Sequence, residues 1–582
     1  MRARQKALAG IVAIGAAVGG VAMFDALLPA MSATSATPTS KFLWEAKTVT
    51  CAATVTDADN ILQVGCFMRD PSGEHNDVEC YSTTPVSGDD YECTIDFNEK
   101  YAQGVWKVTH WSMDDAGERA QVVDDSIVTV NVGGLTYSDC EAGSIASGEG
   151  LTLSITVADN NDIWYLGEFH KRVSRVVENA PTACQVATDS FVVPVPAAPS
   201  NYFFWNSDGP CTYQDQSVLG ESIKWDSTND VAWFSQGGTT FGSGTLACDN
   251  HSRVGSYDPT GNTFVMYNLP GNRNEAHGLY VDEAESLILV AECGWYGDWD
   301  TFSGPDIAHQ GAIMVFDPAT VVPGGNALAR GSWASTMDPE LCVGAETAKI
   351  NNCYQRIDMP AAGWNPANAP EVGGLCPSHI AKDANGDYWF TNFWGSTIGR
   401  LQLDTETVTL YELPATRSTA GPGVTVGGGP WEIEVKDGYV YFNEYFDCQF
   451  GRMLVSDGDN VACETLSGGE NTCVQWVDAK VGKNYDGQED TCHSFAFDST
   501  GVFWFGTIGQ LNDVPGETGA QIGFIDRDWT VARLLGSADT DDYNPNSDVG
   551  YSGMVFGLND TLYVCQGPGP DPATPGVTRL ER

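Results

Sequence analysis

Short apolar runs alternate with turns along most of the chain, and few apolar positions recur at helical spacing. Residues 383–414 read "DANGDYWFTNFWGSTIGRLQLDTETVTLYELP", in which a turn at Asn385-Gly386 precedes three short runs of strand-forming residues. Such runs, bounded by turn residues, predict β-strands. Because a small sheet must bury one face, the pattern predicts that this unit packs against others like it.

The unit recurs along the rest of the chain. Each copy has an apolar first strand, an aromatic second strand, a third strand similar to Ile-Gly-Arg-Leu and a fourth similar to Tyr-x-Leu-Pro. The copies span residues 154–196, 222–270, 277–360, 378–414, 431–479, 493–535 and 552–582. Four-stranded units repeated in this way predict a seven-bladed β-propeller, with a six-bladed ring as the alternative.

The last unit lacks its fourth strand. Residues 134–143, "GLTYSDCEAG", resemble a fourth strand and stand just before the first unit. We expect them to complete the last blade, because closing the ring removes the exposed edges of an open one. The predicted propeller therefore covers residues 134–582.

The N-terminal part has a different character. Residues 42–133 contain alternating strands about ten residues apart, which predicts an antiparallel β-sandwich. Their ending, "VWKVTHWSMDDAGE", resembles the last strands of bacterial Ig-like surface modules, which implies a spacer or adhesion unit. Residues 1–36 combine basic residues, an apolar run and small residues, and predict a signal peptide or a membrane anchor. The predicted fold class is thus all-β.

Charge and cysteine content narrow the function. The formal net charge is −48, from 77 acidic and 29 basic residues. This charge argues against nucleic-acid partners and against binding to an anionic membrane surface, and it favours a solubility adaptation. The 17 cysteines include no C-x-x-C pair, so we expect disulfides and an extracellular or cell-surface location. Three short-range pairs are expected: Cys80–Cys93, Cys342–Cys353 and Cys448–Cys463.

The repeated pattern D-x-x-G-x-x-W-F-T, I-G-R-L and Y-x-L-P resembles the virginiamycin B lyase (streptogramin lyase) family over residues 134–582. The resemblance implies elimination chemistry with a magnesium ion and histidine acid/base groups. His493 matches the family's first histidine, whereas Ser552 stands at the second, Gly550 at the preceding Glu and Gln566 near the remaining Glu. An amide is a weaker magnesium ligand than a carboxylate, and serine is no base near neutral pH. Ring opening of the antibiotic is therefore not expected.

In a propeller, the starts of the inner strands and the ends of the second strands meet at one end of the central channel. Polar residues occupy many of these positions: Glu221, His277, His379, Glu432 and His493 at the starts, and Glu168, Gln236, Glu292, Asn392, Glu444 and Gln566 at the ends. His493 and His277 are the predicted catalytic residues. Ligand binding is assigned to His379, Glu432, Glu444 and, from the aromatic loop 293–311, Trp295 and Trp299.

A cation site is also predicted in the third unit. Glu275, His277 and Glu292 repeat the family's Glu-x-His plus Glu arrangement in another blade, and would hold magnesium or calcium. The alternative is a wet channel mouth without a dedicated ligand. Segments 383–387 and 456–460 look like calcium loops, but turn chemistry explains them better.

These patterns predict an exported, lyase-like propeller that binds a polar ligand at the channel mouth, with metal-assisted chemistry. The alternative function is a non-catalytic extracellular scaffold that binds protein or carbohydrate. Contact with a membrane is expected only through the N-terminal segment.

Overall fold

The structure is a computed structural model, and the chain divides into two compact units, Met1–Asn131 and Val132–Arg582. It describes residues 30–37, 40–42, 47–56, 61–69, 78–97, 104–114, 119–131, 135–141, 152–167, 172–177, 189–193, 205–206, 209–210, 222–236, 253–269, 274–294, 311–321, 354–360, 376–393, 395–414, 428–445, 448–467, 469–479, 491–508, 522–529, 532–534, 540–541, 551–558, 560–566 and 576–581.

The first unit is a pair of facing β-sheets. Its strands are β1 (Ala30–Thr37), β2 (Ser40–Phe42), β3 (Lys47–Thr56), β4 (Ile61–Arg69), β5 (Val78–Ser82), β6 (Asp90–Phe97), β7 (Gly104–Asp114) and β8 (Arg119–Asn131). One sheet has the order β1-β3-β6 and the other β2-β8-β7-β4-β5. Two disulfides, Cys51–Cys66 and Cys80–Cys93, join the sheets, and the second confirms a predicted pair. An Ig-like identity of this unit stays a prediction.

The second unit contains, in its described residues, six sheets of four consecutive strands and a seventh, five-stranded sheet that includes β9. After β9 (Leu135–Glu141), blade 1 has β10 (Thr152–Val157), β11 (Ile163–Gly167), β12 (Arg172–Val176) and β13 (Asp189–Val192), followed by the small pair β14 (Trp205–Asn206) and β15 (Gly209–Pro210). Blade 2 has β16 (Ile223–Asp226), β17 (Val231–Gln236), β18 (Arg253–Asp258) and β19 (Thr263–Asn268). Blade 3 has β20 (Asn274–Asp282), β21 (Leu287–Gly294), β22 (Ala312–Phe316) and β23 (Tyr354–Asp358).

The remaining blades repeat this order. Blade 4 has β24 (Pro377–Lys382), β25 (Tyr388–Asn392), β26 (Thr397–Gln402) and β27 (Thr407–Glu412). Blade 5 has β28 (Pro430–Lys436), β29 (Tyr439–Glu444), β30 (Gln449–Leu454) and β31 (Val474–Asp478). Blade 6 has β32 (Thr491–Phe497), β33 (Phe503–Ile508), β34 (Ile522–Ile525) and β35 (Ala532–Leu534). Blade 7 is built from β36 (Thr540–Asp541), β37 (Tyr551–Phe556), β38 (Leu562–Gln566) and β39 (Gly576–Glu581) together with β9. Short 3-10 helices cover Leu403–Thr405, Val455–Asp459 and Val461–Cys463.

The inner strands form a closed ring. Each contacts the inner strand of the next blade, from β10 through β16, β20, β24, β28, β32 and β37 back to β10. Strand β9 pairs antiparallel with β39, from Glu141 opposite Gly576 to Thr136 opposite Glu581. The start of the unit thus supplies the outer strand of its last blade. The all-β, seven-bladed propeller prediction is confirmed.

Large apolar side chains fill the spaces between blades. One cluster joins blades 4 and 5 through Trp389, Tyr411, Phe442 and Met453, all of which are fully buried. They come from the second strands of both blades, the third strand of blade 5 and the fourth strand of blade 4, and alternation of side chains along each strand directs them into the space between the blades. Each such side chain contributes about 1.5–3 kcal/mol when fully buried, so inter-blade packing is a main source of stability.

A repeated aspartate holds the turn that precedes the second strand. In blade 4, Asp383 Oδ1 accepts from the backbone N–H groups of Asn385 and Asp387 at 2.8 and 3.0 Å, and its Oδ2 accepts from Trp389 Nε1 at 2.9 Å. Asp226 and Asp498 hold Trp233 and Trp504 in the same way. The turn interpretation of residues 383–387 is therefore confirmed. Segment 456–460 differs, since most of it belongs to the 3-10 helix Val455–Asp459.

The other disulfides correct one expectation. The predicted pair Cys448–Cys463 is wrong, because Cys448 pairs with Cys492 and Cys463 with Cys473. Strand β30 lies between Cys448 and Cys463, and six residues at about 3.3 Å each carry the chain about 20 Å away. Cys342–Cys353 lies outside the described residues. A further disulfide, Cys293–Cys376, joins blades 3 and 4.

Candidate functional site

An irregularity marks the start of most inner strands. In blades 3 to 7, the pairing register shifts between Ala276 and Leu279, Pro377 and Ile380, Pro430 and Ile433, Cys492 and Ser494, and Tyr551 and Gly553. A bulge of this kind leaves backbone groups without ladder partners and redirects the side chains beside it.

A polar residue near the end of the second strand satisfies these backbone groups. Thr391 Oγ1 accepts from His379 N at 3.1 Å and donates to Trp431 O in the next blade. In blade 2, Ser235 Oγ accepts from Ser222 N at 3.0 Å and donates to His277 O at 2.7 Å. Each hydroxyl thus connects its own inner strand to the following one.

Blade 5 uses an amide for the same purpose. Asn443 Oδ1 accepts from Glu432 N at 2.7 Å, and its Nδ2 donates to Cys492 O at 2.6 Å. The sequence analysis missed this role, although its signal is visible in the second-strand endings "WFSQ", "WFTN" and "YFNE". These bonds fix the backbone from which the site residues project.

The bulges bring three histidines to one tryptophan. The ring of Trp431 lies 5.7 Å from that of His277, 5.2 Å from that of His379 and 5.1 Å from that of His493. We call these four residues the histidine–tryptophan cluster. Three predicted site residues, from blades 3, 4 and 6, are therefore brought together around a residue from blade 5 that sequence reasoning did not single out.

Two further aromatic rings pack on the cluster. Phe393 lies 5.2 Å and Tyr445 6.1 Å from Trp431, and Tyr445 also lies 5.7 Å from His493. Trp431 is 9% exposed, His277 8% and His493 7%. The cluster is thus an apolar wall that carries imidazole nitrogens.

His379 is held in a defined protonation state. Its Nδ1 lies 2.9 Å from Trp431 O, and a carbonyl oxygen only accepts, so Nδ1 carries the hydrogen and Nε2 the lone pair. Burial lowers the pKa of His379 well below its usual range, and the positive charge of Lys224 and the neighbouring His493 lower it further. The imidazole is therefore neutral at pH 7.

Glu432 follows Trp431 on β28 and reaches across to the inner strand of blade 6. Its Oε2 accepts from Phe495 N at 2.9 Å. Burial raises the pKa of Glu432 to about 7, against the opposing effects of Lys224 and the Phe495 N–H. Burial also raises the pKa of Glu434, two residues further along β28, against Lys436 and Lys224.

Lys224 was not predicted as a site residue. It projects from β16 in blade 2, and its charge acts on His379, Glu432 and Glu434 from two other blades. Lys224 is itself half-buried on this inner strand. Sequence reasoning lacked a signal for it, because "SIKWD" is an ordinary alternating strand.

Glu292 has a different environment. It is fully buried, its Oε2 lies 3.1 Å from Arg356 Nη1, and Arg356 Nε lies 2.6 Å from Asp358 Oδ1. The guanidinium already supplies the positive charge that a cation would bring, so Glu292 does not fit the predicted magnesium or calcium ligand set. Glu275 belongs to β20, but its side chain lies outside what the structure describes.

The other second-strand ends support backbone rather than line the channel. Asn392 Oδ1 accepts from Cys376 N at 2.6 Å. Glu444 is fully buried, and its carboxylate fills the space that a Cβ on Gly428 would need. A ligand role for Glu444 stays a prediction, while its burial supports a structural one.

Several predicted positions remain outside the description. Trp295, Trp299, Glu168, Glu221 and Gly550 lie outside the described residues. Ser552 and Gln566 belong to β37 and β38, but their side chains are not described.

Comparisons with known proteins agree on little beyond the general type of fold. No protein-family model matches the chain, and no curated protein matches it significantly. Among solved structures, the extracellular domain of a hybrid two-component system from B. thetaiotaomicron is 12% identical, with a TM-score of 0.42, over 93% of this chain and 58% of that one. This chain therefore spans little more than half of that structure's length.

Two other solved structures show how varied the similar proteins are. A PQQ-bound aldose sugar dehydrogenase from Streptomyces coelicolor is 13% identical, with a TM-score of 0.30, over 67% of this chain and 98% of that one. Regucalcin, a calcium-binding protein from Agrobacterium tumefaciens, is 8% identical, with a TM-score of 0.32, over 76% of this chain and 94% of that one. The propeller assignment rests on the sheet topology above. The resemblance to virginiamycin B lyase stays a prediction.

Within the described residues, no helix is long and apolar enough to cross a membrane.

Proposed function

We propose that the propeller binds a small polar ligand at the end of the channel where the inner strands begin, and exchanges a proton with it. The observation that carries this proposal is the meeting of His277, His379 and His493 around Trp431. Converging imidazoles beside an aromatic wall are typical of a ligand site rather than of a structural core.

The proton-transfer groups are His379 and Glu432. His379 presents a neutral imidazole with a lone pair on Nε2, which suits a general base. Glu432 has its pKa raised to about 7, so it can both give and take a proton at neutral pH. Lys224 supplies a fixed positive charge for negative charge that develops on the ligand.

This set supports a lyase-like reaction, in which a base removes a proton and a leaving group departs. Trp431, Phe393 and Tyr445 would contact the apolar part of the ligand. The streptogramin reaction itself is not proposed, because Ser552 and Gln566 stand where the family has histidine and glutamate. Since Glu292 is bound to Arg356, we derive no step through a magnesium or calcium ion.

The cellular setting is also inferred. Five disulfides in the described residues favour an exported protein, extracellular or at the cell surface. We propose that the N-terminal segment before β1 directs or anchors it, since Ala30–Thr37 is a strand paired with β3. We also propose that residues 42–133 belong to an Ig-like spacer and that residues 134–582 form the functional propeller. Partners would be polar small molecules, carbohydrates or extracellular proteins, and not nucleic acids.

The test is ligand screening by thermal shift on the full chain, with hydroxy acids, uronic acids and cyclic esters as probes. We expect at least one probe to raise the melting temperature of the wild type and to lose this effect in His379→Gln and Glu432→Gln. Glu470→Gln is the matched control, since Glu470 is exposed. Binding that survives both channel substitutions would overturn the assignment and favour the non-catalytic scaffold.

A further inference from the structure

A second cluster of reactive side chains lies against the first. One ring nitrogen of His277 and the sulfur atoms of Cys293 and Cys376 come within 4.8 Å of one another, and all three residues are buried. The two cysteines form the disulfide that joins the end of β21 in blade 3 to the start of β24 in blade 4.

We propose that reduction of this disulfide turns the cluster into a metal site, in which His277, Cys293 and Cys376 bind a thiophilic divalent ion such as Zn²⁺. The proposal goes beyond the ligand site above and does not depend on it. In the oxidised protein the two sulfur atoms form a covalent link between blades 3 and 4.

The chemistry balances with a dithiol or phosphine reductant. Two electrons from the reductant break the S–S bond. A dithiol passes its own two thiol protons to the cysteine sulfurs and ends as a cyclic disulfide. With a phosphine, one water molecule supplies two protons to the cysteine sulfurs and its oxygen to the phosphine oxide. Binding of Zn²⁺ then releases the two thiol protons to solvent, because the thiolate is the ligand form. His277 contributes a neutral ring nitrogen.

The backbone holds the three ligands in place without the disulfide. Cys376 N donates to Asn392 Oδ1 at 2.6 Å, and Cys376 O accepts from Phe393 N at 2.8 Å. His277 O accepts from Ser235 Oγ at 2.7 Å. Cys293 is fixed in the β20–β21 ladder opposite Glu275.

Close contact between the blades adds to this support. Gly278, beside His277, lies so near Ser378 O and the Cα of His379 that a Cβ there would clash with them. The two inner strands therefore meet at this point through backbone contact, so we expect the ligand atoms to stay near one another after reduction.

The required movement is small. Zinc binds sulfur at about 2.3 Å and imidazole nitrogen at about 2.0–2.1 Å, which places ligand atoms about 3.5 Å apart in a tetrahedral site. Side-chain rotations that move the ligand atoms by about 1 Å bring them into this range. Ser378 Oγ donates to Cys376 O at 3.2 Å and lies 4.0 Å from Cys376 Sγ, so it helps to hold this ligand in place, as outer partners of metal ligands commonly do.

The ligand set selects the class of ion. Two thiolates and an imidazole suit zinc and other soft or borderline ions, whereas magnesium and calcium require oxygen ligands. Three protein ligands leave a fourth position for water, the arrangement of catalytic rather than structural zinc sites. Because the His277 ring is 5.7 Å from Trp431, the ion would lie at the wall of the histidine–tryptophan cluster.

The experiment is a titration of the phosphine-reduced full chain with Co²⁺. Binding is monitored through the thiolate-to-cobalt charge-transfer absorption. Cys51, Cys66 and Cys80 form another sulfur cluster in the first unit, so Cys80→Ser serves as the matched control. We expect Cys376→Ser and His277→Ala each to weaken cobalt binding at least tenfold. Cys80→Ser should leave the cobalt affinity unchanged. Zn²⁺ should raise the melting temperature of the reduced chain and not that of the oxidised one.

Two outcomes would overturn the proposal. The first is an identical cobalt spectrum and affinity in the wild type, His277→Ala and Cys376→Ser. The second is loss of the near-UV circular dichroism of the propeller on reduction alone, because the site requires the folded backbone. Thermal-shift binding of the probes in the oxidised protein would be unaffected by either result, so the two proposals fail separately.

Discussion

His379 and Trp431 are joined across blades 4 and 5 by a hydrogen bond of 2.9 Å from the ring Nδ1 to the backbone carbonyl. The same carbonyl accepts from Thr391, so one oxygen fixes both the imidazole and the hydroxyl that spans the two blades. This relationship sets the tautomer of His379 and ties the geometry of the site to the contact between neighbouring blades.

The protonation of His379 gives the first prediction. Because burial, the charge of Lys224 and the neighbouring His493 lower its pKa, the ring should still be neutral at about pH 6.5, where an ordinary histidine is half protonated. NMR of ¹⁵N-histidine protein, assigned with His379→Gln, will show this as the absence of a titration step. A step near pH 6.5 for this ring would contradict it.

The second prediction concerns how Glu432 makes stability depend on pH. The direction is opposite to that of an ordinary ion-paired carboxylate, whose contribution to stability grows as pH rises. Its pKa is raised from 4.5 to about 7, so the folded state binds the proton more tightly than the unfolded state. The contribution of Glu432 protonation to the free energy of unfolding is therefore complete below about pH 4.5 and is lost as pH rises through about 7.

Glu432→Gln should remove this dependence, since glutamine mimics the protonated acid. We expect the variant to gain about 1–3 kcal/mol relative to the wild type between pH 5 and pH 8, measured by urea unfolding at several pH values. Glu470→Gln should show no such trend. A pH-independent difference between Glu432→Gln and the wild type would be the contrary result.

The third prediction concerns the hydroxyl between blades 4 and 5. Thr391→Val keeps the shape but leaves the His379 N–H and part of the bonding of Trp431 O unsatisfied in a buried position. We expect a loss of about 2–4 kcal/mol in the free energy of unfolding. Thr391→Ser retains the hydroxyl and should keep most of the wild-type stability. If the methyl group mattered only for packing, Thr391→Ser would instead be destabilised as much as or more than Thr391→Val.

Closure of the ring gives the fourth prediction. Since β9 pairs with β39 along six residue pairs, deletion of residues 134–143 should lower the melting temperature of the propeller by several degrees, at about 2–4 °C per kcal/mol for domains of 150–250 residues. Deletion of residues 42–130 should leave it unchanged. Calorimetry of the two deletions distinguishes them, and an unaltered transition in the first would argue against β9 as a structural strand.

The fifth prediction concerns antibiotic turnover. With Ser552, Gly550 and Gln566 at the positions where the resembling family has its acid/base and magnesium groups, we expect no ring opening of a streptogramin B in the presence of magnesium. Mass spectrometry of the antibiotic after incubation provides the measurement. A linear product would show that the last blade aligns differently from the family or that other residues supply the chemistry.

The sequence by itself determined the parts of this protein that depend on local pattern. Period-two alternation, turn residues such as Asn385-Gly386 and the repeated four-strand unit were enough to predict an all-β propeller of seven blades. The same repeat placed His277, His379 and His493 at the starts of inner strands, because equivalent positions in each unit occupy equivalent places in the ring.

Only the tertiary structure decided which of these residues meet. Trp431 belongs to the site through contacts with three other blades, and Lys224 influences the site through its charge alone; neither residue has a local signal. The partner of Cys448 is Cys492 rather than Cys463, because a strand carries the nearer cysteine away. Glu292 binds Arg356 across its own sheet. The repeat pattern determines the strand position from which a side chain projects. Distances between side chains of different blades depend on how the blades pack, and this information is absent from the pattern along the chain.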